Sequence, residues 1–256
     1  FEKEFQFQNT IPIINSDTFD ASYMVPKISI SYSPHLIKKN KTQFNFSLLR
    51  NHYFGTTEKS YNIIYTEFGV KLGSYRWLKF SHRYLPEYYL RNYINHDSND
   101  KNYSECIFSS ESFAISFSNP IVKKIWARVK YTRTNLYYNI DFTEYDTVID
   151  QWHFRLNSSY FRMNNSFWAS YAIGDNISYN SGYESSLYDR SYKEYTFGYS
   201  ANKRIKSISL IDRFGVSSVI KNRAYNEESL DDPIHAGRKH IEYNLSFWLE
   251  KKINDN

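Results

Sequence analysis

Histidine, serine and cysteine are the residues here most able to hold a metal or attack a bond. The seven histidines stand at positions 35, 52, 82, 96, 153, 235 and 240. None pairs with another at metal-ligand spacing. His235 and His240 are five apart, but Gly237 and a turn separate them, and no His-Glu-x-x-His occurs. A single cysteine, Cys106, excludes an intrachain disulfide and any multi-cysteine zinc or iron–sulfur site. Its context, Tyr103-Ser104-Glu105-Cys106-Ile107-Phe108, reads as a buried or lipid-facing thiol. No metal and no cofactor are expected. Ser81 and His82 are adjacent, so on a strand they face opposite sides and cannot act as a nucleophile and its base. His96-Asp97-Ser98 lies in the turn cluster 95–100.

A second set is charged rather than nucleophilic. Lys79, Arg83, Glu105, Arg128, Lys130, His153, Arg155, Glu194, Arg213, Glu242 and Glu250 each fall opposite apolar neighbours. In a barrel such residues point into the lumen. Their mixed signs predict a lumen crosslinked by ion pairs, because a selective pore more often carries rings of one sign.

The elements that must position these groups have period two, which means strands. Phe44, Phe46 and Leu48 alternate with Asn45 and Ser47, and Ile28, Ile30 and Tyr32 with Ser29 and Ser31. Similar alternation runs through 112–118, 125–132, 152–157, 167–173 and 194–200. In the last strand Ile241, Tyr243, Leu245, Phe247 and Leu249 face one way, and Trp248 is the one apolar residue on the other. Weaker strands are read at 3–11, 60–72, 74–85 and 207–221, which makes about 12, with about 10 to 14 credible. The best helical candidate is 84–95, although its aromatics suit a strand as well.

Composition narrows the class. Of 256 residues, 25 are Tyr, 19 Phe and 5 Trp, which argues against disorder. No apolar run approaches the length of a membrane-spanning helix. The mean hydropathy of −0.65 looks soluble, but strict alternation cancels in an average. The net charge of +5 is scattered, with its densest cluster at 35–41, and nucleic acid is not an expected partner. The chain begins at Phe1 without a recognisable signal segment, and the expectation is either a removed leader or a piece of a longer protein. No linker or composition shift divides residues 1–256, and one domain is expected.

Alternation alone does not separate a membrane barrel from a soluble sandwich. Membrane strands run about 9–11 residues, with aromatic girdles and a polar interior. In 152–161 and 241–249 one face carries large apolar side chains and the other His, Arg, Glu, Asn and Ser. Only 8 Gly and 6 Pro are present, fewer than a sandwich of this length would use in its turns. An all-β transmembrane barrel of antiparallel strands is therefore expected.

As a pattern the whole chain resembles the outer-membrane β-barrels of Gram-negative bacteria. The segments 190–195 and 231–240, followed by the alternating final strand, are similar to the closing hairpins of barrels that follow tetratricopeptide domains in surface-assembly and export proteins. The ending 251–256 departs from the terminal aromatic of many such barrels. The resemblance implies a bacterial outer-membrane location and contact with lipid and lipopolysaccharide. Periplasmic or surface proteins are further expected partners. The function it implies is a channel, an export or secretion barrel, or the membrane anchor of a surface complex, without catalysis.

Two alternatives stay open. His96-Asp97-Ser98-Asn99 resembles part of the His-x-Ser-Asn-Gly signature of barrel phospholipases, with Asp100 in place of the final Gly. That would make a lipid hydrolase at the barrel rim. A soluble tyrosine-rich sandwich binding glycans is the other.

Overall fold

The computed structural model describes residues 23–33, 40–55, 57–94, 103–160, 163–177, 190–205, 212–226 and 238–251. They form twelve strands: β1 (Tyr23–Met24), β2 (Lys27–Tyr32), β3 (Thr42–Tyr53), β4 (Tyr61–Gly73), β5 (Arg76–Ile94), β6 (Tyr103–Val122), β7 (Ile125–Tyr138), β8 (Thr147–Tyr160), β9 (Met163–Asn176), β10 (Tyr192–Arg204), β11 (Arg213–Tyr225) and β12 (Lys239–Glu250). The helical segments among these residues are two short 3-10 turns, Thr57–Lys59 and Ile140–Tyr145.

The strands make one antiparallel sheet in chain order, from β3 through β12, with β1 and β2 both on the free side of β3. Tyr23 pairs with Tyr53 and Lys27 with Leu49, so β1 and β2 are two halves of one bent strand. The bend falls at Val25-Pro26, where proline supplies no N–H. Its carbonyl still accepts the Arg50 N–H at 3.1 Å. Because neighbours alternate in direction, the two edge strands β2 and β12 run the same way. No ladder joins them among the described residues. A closed ring of antiparallel pairs takes an odd number of further strands between them.

The two ends of the sheet differ. Two-residue turns at 74–75 and 123–124 link β4 to β5 and β6 to β7. Each places a non-glycine residue at positive φ, Tyr75 at 62° and Lys124 at 69°. Each also carries a register shift, between Lys71 and Gly73 and between Pro120 and Val122. The Tyr160–Met163 pair leaves an equally short link between β8 and β9. At the opposite end the connections 54–60 and 139–146 are longer. The eight-residue β10–β11 connection at the short-turn rim departs from this; a rim of mostly short turns opposite longer loops is the habit of outer-membrane barrels.

β5 and β6 are the longest strands, at 19 and 20 residues. β5 contains the helical candidate 84–95 as far as Ile94, which corrects that expectation. Proline at position 86 would break a helix, whereas a strand absorbs it at a bulge. The β5–β6 register indeed shifts between Leu85 and Tyr88 and again between Tyr89 and Arg91. The readings 60–72, 74–85 and 207–221 correspond to β4, the first half of β5 and β11. The reading at 3–11 lies outside the described residues.

Register gives the sheet two unlike faces. In β10 the outward Tyr195, Phe197 and Tyr199 are 47, 51 and 44 % exposed. On the other face Gly198 is buried and the Glu194 side chain is only 11 % exposed. The apolar side chains are thus the exposed ones, the inverse of a soluble sheet. The same inversion holds at Trp152 and Phe154 in β8 and at Phe113, Ile115 and Phe117 in β6. A water-soluble chain exposing contiguous rings on this scale would associate through them. A lipid-facing wall has no such difficulty.

Candidate functional site

The apolar face sets the frame. Outward along β8 run Trp152, Phe154, Leu156, Ser158 and Tyr160, which span nine residues without a charge. At about 3.3 Å per residue and with barrel tilt, that covers roughly the hydrocarbon core. In β10 the outward Lys193 and Lys203 bracket the uncharged stretch between them. Near the long-loop rim stand ring pairs, Tyr131 with Trp152 at 4.9 Å and Tyr171 with Tyr195 at 4.8 Å. One row beyond, charge returns as Arg133 and Asp150, 3.6 Å apart. Ring girdles followed by charge mark a membrane–water boundary.

The polar face carries the chemistry. Cross-strand register places Lys79, Arg83, Arg128, Lys130, His153, Arg155, Glu194, Arg213 and Glu242 on it together. Glu105 is separate. β6 keeps its alternation past the β5 bulges, so Cys106 takes the polar face, buried, and Glu105 takes the other, exposed. The bulges lie wholly in β5, so no period-two count on β6 alone shows the β5–β6 pairing around them. Glu250 lies opposite Arg213.

Two carboxylates organise this face. Glu67 on β4 accepts from Lys79 at 2.7 Å, Tyr65 at 2.8 Å and Asn45 at 3.2 Å. Glu194 on β10 accepts from Arg223 at 2.6 Å and lies 3.5 Å from Lys221. Lys221 continues to Glu242 at 3.7 Å, and Glu242 pairs with His240 at 2.7 Å. Arg223 also stacks on Tyr192 at 4.0 Å. Arg213 and Glu250 close the opposite end of these strands at 3.2 Å. Sequence reasoning overlooked Glu67, Lys221 and Arg223. Glu67 sits in Tyr61-Asn62-Ile63-Ile64-Tyr65-Thr66-Glu67, where adjacent apolar residues blur the period. Arg223 lies beyond the limit read for β11.

Small residues make room for indoles here. A Cβ at Gly198 or Gly215 would collide with the ring of Trp168 or Trp248, and one at Gly174 with Tyr192. This explains why Trp248 alone breaks the alternation of β12. It faces its cross-strand neighbour Gly215 and covers bare backbone. Trp168 covers Gly198 in the same way, with the Arg155 guanidinium 5.7 Å from its ring.

The nucleophile candidates do not assemble. Ser81 is on the polar face and His82 on the apolar face, where His82 stacks on Phe113 at 4.6 Å and meets Glu111 at 2.9 Å. His96-Asp97-Ser98, His35 and His235 lie outside the described residues. No group of three metal-ligating side chains occurs among the described residues. Outside the strands, Asp146 accepts the Tyr138 N–H at 2.7 Å. Burial pushes its carboxyl above the usual carboxylate range, against the pull of that hydrogen bond.

No family model matches the chain, and no curated protein matches it. Among solved structures it is similar to OmpTdeltaL8, a loop L8 deletion mutant of OmpT, an outer membrane protein of Vibrio cholerae. The TM-score is 0.47 at 7 % identity, over 82 % of this chain. The match spans 62 % of that structure's length. The expectation of a chain without catalysis is corrected, because the fold does not carry it. An outer-membrane barrel wall hosts pores and enzymes alike, so the fold gives no ground for excluding an enzyme. The chain's own architecture is all-β, a single antiparallel sheet of the outer-membrane barrel kind, with no ladder between β2 and β12 among the described residues.

Proposed function

We propose that this chain forms the wall of a bacterial outer-membrane barrel whose polar face lines an aqueous passage, used as a channel or an export path. One observation carries the reading: the sheet is inverted, with its rings exposed and the Glu67–Lys79 and Glu194–Arg223–Lys221 ion pairs on the less exposed face. In lipid every backbone N–H and C=O needs an internal partner, which an antiparallel ladder provides along its length. A hydrated interior accounts for the many serines, asparagines and charges opposite the rings. The loose likeness of 190–195 and 231–240 to barrels following tetratricopeptide domains makes export the more specific form of the same reading.

Reconstitution into a planar lipid bilayer tests it. The purified chain should insert and give discrete conductance steps, and its unboiled band on a denaturing gel should run apart from the boiled one. A chain that stays monodisperse without detergent and gives no steps would overturn the reading.

A further inference from the structure

We infer that the polar face of β6–β9 is an anion-binding wall of this passage, and that the solute it favours carries carboxylate, phosphate or comparable negative groups. The inference rests on the passage reading and adds the solute class. On the polar-face positions of these four strands there is no carboxylate among the described residues. Their described acidic side chains Glu105, Glu111, Asp150 and Asp175 all take the opposite face. Arg128, Lys130, His153 and Arg155 lie together on the polar face.

Register makes the crowding explicit. Arg128 is directly opposite Arg155, and Lys130 directly opposite His153. Like charges facing across a ladder, as Arg128 and Arg155 do, are destabilising, whereas His153 opposite Lys130 is a largely neutral imidazole at about pH 7. None of the four forms an ion pair among the described residues. Arg155 instead donates Nε–H to the Ser166 hydroxyl at 2.7 Å, with its guanidinium beside Trp168. Glu67 on the polar face of β4 is already held by Lys79, Tyr65 and Asn45. Ser116 and Ser118 stand next to Lys130 and Arg128 in the ladder and add hydroxyl donors. Uncompensated cations with hydroxyls around them can hold a negative group by charge and hydrogen bonds, yet stay hydrated enough to release it.

The test is the reversal potential in a potassium chloride gradient, with tripolyphosphate as the polyanionic probe. Wild type should prefer chloride to potassium. Arg128→Gln with Arg155→Gln should lower that preference about threefold or more while single-channel steps persist. Tripolyphosphate should block wild-type current and block the variant less. Open steps without anion preference, unchanged in the variant, would overturn the anion wall and leave the passage intact. If no steps appear, the passage reading fails by itself. Calorimetric titration of the folded, detergent-solubilised protein with tripolyphosphate then decides the wall. Binding lost in the variant supports it, and absence of binding in wild type overturns it. Retention of the heat-sensitive gel shift shows that the variant folds.

Discussion

The walls β6–β9 and β10–β12 share one outer surface and differ in the inner one. Outward, both present large apolar side chains, Trp152 and Phe154 in the first, Phe197 and Phe247 in the second. Inward, every described carboxylate of β10–β12 is paired, although Arg204 also lies opposite Arg213. Glu194, Glu242 and Glu250 each have a basic partner within 4.0 Å. β6–β9 instead gathers Arg128, Lys130, His153 and Arg155 with no carboxylate beside them. The lipid face is constrained by one solvent and looks alike everywhere. The inner face is free to specialise, and its two parts read as a structural brace and a ligand-facing wall.

The outer similarity should break first and hardest. Phe197→Arg and Phe154→Arg should each cost about 2–4 kcal/mol if they lie near the bilayer midplane, falling near the interfaces. Urea titration in lipid vesicles reads this, and a neutral outcome for both would argue against a lipid-facing surface. The seam between the walls comes next. Gly198→Val drives a branched side chain into the Trp168 ring and should cost about 1–3 kcal/mol. Thr196→Val, two residues along the same face, should be mild.

The inner contrast gives a sharper comparison of two neutralising changes. Glu194→Gln takes the carboxylate from Arg223 and leaves Lys221 only Glu242, and should cost about 1–3 kcal/mol. Arg155→Gln removes a repulsion with Arg128 and should leave the unfolding midpoint unchanged or raised. Equal losses in both would erase the distinction between the walls.

The smallest effect is at the rim. The Asp146 carboxyl has a folded pKa raised by burial, so its protonated form favours the fold. That contribution is fully present below the unfolded value and fades as pH rises through the folded one. Between about pH 3 and about pH 7, wild type should lose stability relative to Asp146→Asn. Parallel curves for the two would remove Asp146 from the account.

Most strands were legible because a two-residue period survives any change of detail. Ile28 to Tyr32, Phe44 to Leu48 and Ile241 to Leu249 show their faces directly. The ambiguous stretch was 84–94. There tyrosines and leucines suit either period, and only pairing with β6 across two bulges decides. Ion-pair partners were less legible. Glu194 finds Arg223 29 residues away through register, which no local pattern encodes. Glu105 is a different case: the unbroken alternation of β6 back from Phe113, Ile115 and Phe117 already puts it on the apolar face, and its charge alone suggested the polar one. Trp248 seemed an exception until its neighbour across the ladder, Gly215, explained it.

Tryptophan offers the most direct test of the central claim, that the exposed face meets lipid and the charged face does not. Trp152 is on the apolar face, and Trp168 and Trp248 are on the polar face over Gly198 and Gly215. Single-tryptophan variants keeping one of these each, refolded into vesicles of brominated phospholipid, would report lipid contact by quenching. The account predicts strong quenching of Trp152 and little of Trp168 or Trp248. Equal quenching of all three, or a protected Trp152, would contradict it.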